Sequence, residues 1–207
     1  KIPMRQKPAF KIFMILYIPL LILGIVGVFC FDKGAMVLAL NAYHQPQLDV
    51  FFKYFTFLGD GLFLGLIILI SLFIHAKYAA LFTITGLGQM VTAVVLKKIV
   101  FGRTLRPAIY IGEYLLHFVE GVRVLGWHSF PSGHTITAFS SFFLIALLMK
   151  NKIVAILGLF LATGVAISRI YLVQHFLEDV VAGSLIGVLL TLFFYFRAKK
   201  SHYFESF

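Results

Sequence analysis

The sequence predicts an all-α fold: a polytopic membrane protein with six transmembrane helices packed in one bundle. The 207 residues are 61% hydrophobic and only 13% charged, and their mean hydropathy of +0.99 is far above that of a soluble globular domain. The apolar residues fall in long runs, and about 20 helical residues cross the roughly 30 Å hydrocarbon core of a bilayer. We therefore expect one membrane-embedded domain over residues 1–207.

Six apolar runs, taken in chain order, are the six predicted spans. They cover residues 13–31, 62–74, 78–96, 130–149, 153–171 and 180–196. The second run is short, and we expect the segment before it, "FFKYFTFLGDG" at 51–61, to lie at the membrane interface. Cys30 is the single cysteine and lies in the first run, so it cannot form a disulfide within this sequence.

Basic residues give the orientation only a weak bias. The 18 Lys and Arg divide ten to eight between the two sides. With a cytoplasmic N-terminus, the inner side holds Lys1, Arg5, Lys7, Lys11, Lys77, Lys150, Lys152, Arg197, Lys199 and Lys200. Four of the other eight lie within "KKIVFGRTLRP" at 97–107. We expect cytoplasmic termini in a bacterial inner membrane, with this cluster outside. Such a cluster suits lipid headgroups and an anionic substrate better than nucleic acid.

The parity of six spans predicts that the unusual polar residues meet on one side of the membrane. The segments after the third span, before the fourth, and between the fifth and sixth all emerge on that side. They contain "KKIVFGRTLRP", "HSFPSGHT" at 128–135 and "SRIYLVQHFLED" at 168–179. We therefore expect a site at the outer, periplasmic face of the membrane.

The segment "FPSGHT" predicts an oxyanion site at the start of a helix. Its proline and glycine form a turn that opens the fourth span, so unpaired backbone N–H groups, including that of Gly133, point to one spot. Ser132 adds a hydroxyl donor, and His134 can exchange a proton near neutral pH. The alternative is a serine-capped helix with a bystander histidine.

The segment "HFLED" predicts a histidine paired with a carboxylate. His175 and Asp179 are four residues apart, so on a helix they share a face. A carboxylate that holds one ring nitrogen makes the other a better nucleophile or base. An interfacial hydrogen bond or a metal site would also fit the pair, but the surrounding Lys and Arg would repel a divalent cation.

Arg169 and the stretch from Lys98 to Arg106 complete a predicted anion site, because guanidinium and ammonium groups suit phosphoryl oxygens. The alternative is that basic side chains extend to the lipid headgroups. That alternative suits Lys97 and Arg123 best.

These motifs together resemble the three-part signature of the type 2 phosphatidic acid phosphatase superfamily. The second part, "PSGH", is complete at residues 131–134. The third part matches at all its defined positions, which are Ser168, Arg169, His175 and Asp179. The resemblance extends by motif over residues 97–179.

The first part of the signature is a lysine, six residues, and then Arg-Pro. Here seven residues separate Lys98 from Arg106, one more than the pattern has. We expect Lys98 and Arg106, rather than Lys97 and Arg103, to contact phosphate.

The resemblance implies hydrolysis of a lipid phosphate through a phosphohistidine, with no metal or other cofactor. It implies that His175 attacks phosphorus, Asp179 orients His175, and His134 protonates the leaving oxygen. The phosphoryl oxygens would be held by Lys98, Arg106, Ser132, the Gly133 backbone N–H and Arg169. Phosphatidylglycerol phosphate, phosphatidic acid, undecaprenyl diphosphate and phosphorylated lipid A all fit.

Two other classes of function remain as alternatives. Vanadium-dependent haloperoxidases of the same superfamily hold vanadate in a similar pocket, but they are soluble and much larger. A non-catalytic channel or transporter would place ionisable groups at mid-membrane depth. In this sequence such groups cluster at the span ends.

Overall fold

The computed structural model describes residues 7–201, and this part of the chain is helical, with an isolated β-bridge between Leu105 and Trp127. The all-α fold is therefore confirmed. Within residues 7–201, nine α-helices follow one another: α1 Lys7–Cys30, α2 Ala35–Ala42, α3 Pro46–Phe55, α4 Gly61–Ile74, α5 Ala76–Val95, α6 Pro107–Ile111, α7 Gly133–Met149, α8 Lys152–Tyr171 and α9 Leu177–Lys200. Short 3-10 turns lie at Thr56–Gly59 and Glu113–Leu115, and a π-helical turn, Leu96–Val100, continues α5.

In the part of the chain that the structure describes, four helices are long and apolar enough to cross a membrane: α1, α5 with its π-helical extension, α8 and α9. The segment Pro46–Gly59 and α4 are bent by 54° and count as a fifth span if taken together. At 17 residues, α7 is shorter. With a rise of about 1.5 Å per residue, α7 spans roughly 26 Å, less than the roughly 30 Å hydrocarbon core. The structure thus has four or five spans by length and composition where the sequence predicts six.

All six predicted runs lie in α1, α4, α5, α7, α8 and α9, with small differences at the ends. α1 begins at Lys7, before the predicted first run, and α9 extends from Leu177 to Lys200. The predicted interfacial segment 51–61 contains the end of α3, a 3-10 turn and the start of α4. Lys1 and Arg5, which entered the orientation argument, lie outside the described residues.

α7 is the central helix of the bundle, and most of its side chains are buried. α8 and α9 pack along it, and α1 packs against it in the opposite direction. The Phe13 and Phe143 rings stack with centroids 4.1 Å apart, and Tyr17 packs on Phe139 nearer the other end of α7. The core is therefore built around a helix that is surrounded by protein on most sides.

Two glycines let α9 approach the backbone of α7. A Cβ atom at Gly183 would lie 2.9 Å from the Ser132 carbonyl oxygen, and one at Gly187 would lie 2.6 Å from that of Ile136. The two glycines are four residues apart and so lie on one face of α9. Small residues at this spacing are typical of close helix packing in membranes.

The segments outside the long helices are tied together at the end of the bundle where α7 begins. Asp49 of α3 accepts hydrogen bonds from the Tyr171 hydroxyl at 2.6 Å and pairs with His117 Nε2 at 2.8 Å. Lys53 donates to the carbonyl of Glu120 at 2.7 Å. α3 and the segment before α7 thus form an ordered cover over this end.

Candidate active site

The polar residues of the three motifs meet at one end of the bundle, as the parity of the spans predicts. The C-terminal ends of α5 and α8 and the N-terminal ends of α7 and α9 lie there. The Ser132 backbone N–H donates to the carbonyl of Asp179 at 3.0 Å and joins the starts of α7 and α9. The structure brings together seven of the eight predicted site residues: His134, His175, Asp179, Arg106, Ser132, Gly133 and Arg169.

His175 is held through one ring nitrogen by Asp179, and both residues are buried. Asp179 Oδ2 lies 3.2 Å from His175 Nδ1, and it accepts from the Phe176 backbone N–H at 2.9 Å and from the Ser129 hydroxyl. With a proton on Nδ1 facing the carboxylate, the lone pair of the imidazole is on Nε2. This is the arrangement that a nitrogen nucleophile needs.

Burial and positive neighbours keep His175 neutral. Burial lowers the pKa of His175 well below its ordinary value, and the charges of Arg106, Arg169 and Lys97 lower it further. Protonation of a buried imidazole would add a charge beside three cations. The nucleophilic form is therefore present through neutral and mildly acidic pH, since a lowered pKa extends the neutral form toward acid.

Arg106 lies beside the free nitrogen of His175, with Nη1 3.5 Å from Nε2. Its guanidinium is anchored by the carbonyls of Trp127 at 2.9 Å and Gln174 at 2.8 Å. Arg103, the alternative to Arg106, is exposed, and its guanidinium lies over the Trp127 ring. The choice of Arg106 over Arg103 therefore agrees with the geometry.

Arg169 is the second buried guanidinium. Nη1 donates to Thr56 Oγ1 at 3.0 Å, Nη2 donates to Gln174 Oε1 at 3.4 Å, and Nε has no hydrogen-bond partner. Within residues 7–201, no carboxylate oxygen lies within 4.0 Å of Arg106 or Arg169. Two buried guanidinium groups without a carboxylate partner are suited to a bound oxyanion.

The start of α7 supplies backbone N–H groups to the same place. Ser132 is fully buried and precedes Gly133, the first residue of the helix. A Cβ atom at Gly133 would meet nothing within 4 Å, so the space beside the first turn is open. Free N–H groups and the positive end of the helix dipole both favour an anion in that space.

His134 lies in the first turn of α7 and faces a carboxylate from another part of the chain. Its Nε2 lies 3.5 Å from Asp60 Oδ2, and both side chains are partly exposed. His134 is also near enough to His175, Arg169, Lys97 and Arg106 for their charges to interact. The two histidines therefore lie close together, each with its own aspartate.

The structure places Lys97, rather than the expected Lys98, toward the site. Lys97 Nζ donates to the His128 carbonyl at 3.0 Å, and its charge interacts with Asp179, Arg106 and Arg169. Lys98 is exposed. The physical reason is the π-helical turn Leu96–Val100, which holds an extra residue and rotates the side chains relative to a regular α-helix.

Sequence reasoning missed four residues that contact the site: Thr56, Asp60, Ser129 and Gln174. Gln174 and Ser129 lie beside motif residues and were passed over, whereas Asp60 and Thr56 come from the segment interpreted only as interfacial. A signal was available, since "LGDG" places a carboxylate directly before an apolar helix. Aspartate is a preferred residue at the N-cap position, directly before the first residue of a helix, so the sequence locates Asp60 at the start of α4.

The potential metal ligands among the described residues are dispersed. Within residues 7–201, no group of three or more His, Cys, Asp or Glu side chains could hold a metal ion. The residues around His134 and His175 are mostly cationic.

A family model described as the PAP2 superfamily matches residues 77–202. The bacitracin transport permease protein BcrC of Bacillus licheniformis is 49% identical over 73 residues, which are 35% of this chain and 35% of that protein. The lipid A 4'-phosphatase of Bacteroides thetaiotaomicron is 29% identical over 174 residues, which are 80% of this chain and 76% of that protein.

Two solved structures share the fold. The crystal structure of Aquifex aeolicus LpxE aligns with a TM-score of 0.67 and 28% identity over 81% of this chain and 98% of that one. The crystal structure of the first transmembrane PAP2 type phosphatidylglycerolphosphate phosphatase from Bacillus subtilis aligns with a TM-score of 0.67 and 25% identity. That alignment covers 94% of this chain and 97% of the Bacillus chain.

Proposed function

Because this chain belongs to the PAP2 superfamily and is a lipid phosphate hydrolase, we propose that it removes a terminal phosphate from a membrane lipid through a phosphohistidine, without a metal ion. One observation carries the proposal: His175 is bound through Nδ1 by Asp179, and its Nε2 faces Arg106. A neutral imidazole with a free nitrogen beside a guanidinium can attack phosphorus while the charge that develops on oxygen is stabilised.

In the first step, His175 Nε2 forms a bond to phosphorus as the bond from phosphorus to the lipid oxygen breaks. His134 donates a proton to that oxygen, so the lipid leaves as an alcohol, or as a monophosphate if the substrate is a diphosphate. In the second step, water gives a proton to His134 and attacks phosphorus. The P–N bond breaks, phosphate is released, and both histidines return to their starting states.

The positive groups hold the phosphoryl oxygens throughout. We assign this role to Lys97, Arg106 and Arg169, with the Ser132 hydroxyl and the Gly133 backbone N–H. Positioning and charge stabilisation account for most of phosphoryl-transfer catalysis. The same charges oppose binding of a divalent cation, which is why the proposal needs no metal.

We further propose six membrane crossings, which are α1, the bent α3–α4 pair, α5, α7, α8 and α9. This topology places both termini in the cytoplasm and the site at the outer face of the inner membrane. The ionisable site residues lie at helix ends, a position that favours a lipid headgroup as substrate over conduction through a channel. Related soluble haloperoxidases are disfavoured by the long apolar helices.

Phosphate release in the presence of a chelator tests the chemistry. We expect the purified enzyme to release phosphate from a lipid phosphate at an unchanged rate in excess EDTA. We expect orthovanadate to inhibit competitively, because its trigonal-bipyramidal adduct with a histidine nitrogen mimics the transition state. Loss of activity on chelation, with recovery on added Mg²⁺ or Zn²⁺, would contradict the mechanism.

The same assay compares four substrates: phosphorylated lipid A, phosphatidylglycerol phosphate, phosphatidic acid and undecaprenyl diphosphate. Lipid A is the first to test, because the lipid A 4'-phosphatase matches 80% of this chain. Release of phosphate from none of the four would overturn the proposed substrate class.

Cysteine labelling tests the orientation. In a Cys30→Ser background, we expect a cysteine at Tyr114 to react with an impermeant thiol reagent in right-side-out spheroplasts. Tyr114 lies at the site end and is 88% exposed. A cysteine at exposed Lys152, at the opposite end, is the matched control and should react only after permeabilisation. The reverse pattern would show that the site faces the cytoplasm.

A further inference from the structure

Asp60 lies outside the three motif segments, and its two carboxylate oxygens have different partners. Oδ1 accepts from the Leu62 backbone N–H at 2.8 Å and caps the start of α4. Oδ2 lies 3.5 Å from His134 Nε2. The cap fixes the carboxylate, so the second oxygen is held in place toward the histidine.

The 3-10 turn Thr56–Gly59, which directly precedes Asp60, packs onto α7 and α8. A Cβ atom at Gly59 would lie 2.6 Å from the His134 carbonyl oxygen and 2.7 Å from Val165 Cγ1. Thr56, at the start of the same turn, accepts from Arg169 at 3.0 Å. The position of Asp60 relative to His134 is therefore set by direct contacts to α7 and α8.

The charges around His134 explain why a carboxylate is needed there. His134 interacts electrostatically with Arg169, Lys97, Arg106 and His175, and it lies at the positive end of α7. All of these disfavour a positive charge on its ring, yet a general acid must carry a proton. Within residues 7–201, Asp60 is the carboxylate paired with His134.

We propose that Asp60 is a positioning residue for the general acid: it fixes the ring of His134 and favours its imidazolium form, so that His134 can protonate the leaving lipid oxygen. The inference rests on the proposed phosphohistidine mechanism. It divides the site into two histidine–aspartate pairs with opposite tasks. Asp179 serves a histidine that must stay neutral to attack, and Asp60 serves one that must be charged to donate.

The test is Asp60→Asn, measured with two leaving groups. For a lipid phosphate, whose alkoxide cannot leave without a proton, we expect kcat/KM to fall about tenfold to thirtyfold. For p-nitrophenyl phosphate, whose leaving group departs without a proton, we expect kcat/KM to stay within about twofold. An equal loss on both substrates, or no loss on the lipid, would overturn the role of Asp60.

Two controls separate this role from a structural one. Asparagine can still accept from Leu62, and Asn151→Asp changes a comparable cap, since Asn151 Oδ1 accepts from Ile153 at 2.8 Å at the start of α8. We expect Asn151→Asp to retain full activity on both substrates. In a His134→Gln background, Asp60→Asn should cost nothing more, and a further loss there would contradict the inference.

The failure of this inference differs from the failure of the proposed function. If the phosphohistidine mechanism is wrong, the wild-type enzyme forms no acid-labile phosphoenzyme. If only the role of Asp60 is wrong, the phosphoenzyme forms in the wild type and the Asp60→Asn loss does not depend on the leaving group.

Discussion

Replacement of His175 by alanine should abolish phosphate release, with a loss of at least about 10⁴-fold in kcat, because it removes the nitrogen that forms the bond to phosphorus. His175 Nε2 faces Arg106, and Asp179 holds the opposite nitrogen. The loss is measured by phosphate release, and the loss of the intermediate by trapping of an acid-labile, base-stable phosphoenzyme. Substantial turnover by the variant would rule out His175 as nucleophile.

The variant His175→Asn is a control that separates loss of the nucleophile from misfolding of the protein. An asparagine amide can still donate to Asp179 Oδ2 in place of Nδ1, but it has no nitrogen at the position of Nε2. We expect this variant to be as inactive as the alanine variant while it elutes from size-exclusion chromatography in detergent as the wild type does. Asp179→Asn should keep the nucleophile and lose roughly 10²- to 10⁴-fold, since an amide no longer selects the reactive tautomer.

Lys97→Met is expected to lower kcat/KM by about 100-fold, whereas Lys98→Met should change it less than about twofold. Lys97 reaches the site through the π-helical turn and interacts with Asp179 and both arginines. Lys98 is its exposed neighbour and so a matched control. The orthovanadate inhibition constant should rise with Lys97→Met and not with Lys98→Met.

Lys97→Arg distinguishes the charge of Lys97 from its hydrogen bond to His128. A guanidinium can replace both functions, so we expect partial recovery of activity. A loss with Lys98→Met equal to that with Lys97→Met would mean that the turn does not separate the two side chains in solution.

The sequence could predict that the site residues lie together, because their proximity depends only on residue spacing and on the order of the helices. The spacing of four residues predicts the pairing of His175 with Asp179, although His175 lies just before α9 and only Asp179 is on the helix. The order of the apolar runs predicts which helix ends share a side. The choice between Lys97 and Lys98 could not be predicted, because a regular helix and a π-helical turn give the same sequence pattern. Asp60 was missed because its contact with His134 depends on the packing of a bent pair of helices.

The number of spans differs between sequence and structure because apolar runs do not distinguish contact with lipid from contact with protein. Apolar runs indicate which segments avoid water, but lipid and protein exclude water equally well. α7 is apolar and largely enclosed by other helices, so its apolar composition is explained by contact with protein as well as by contact with lipid. The length and hydropathy of the helices within residues 7–201 therefore identify four or five spans, where the apolar runs of the sequence predict six.

The contact of Gly183 and Gly187 with the backbone of α7 has a consequence for how the enzyme responds to its membrane. A bilayer that thickens or thins is accommodated by tilting or sliding helices that face lipid. At Gly183 and Gly187, α9 lies close to the backbone of α7, and the Ser140 and Thr191 hydroxyls join the two helices through a hydrogen bond of 2.8 Å. Asp179 and His134 stand at the ends of these two helices, so a change in lipid composition can tilt the pair as one body without altering the spacing of the catalytic groups.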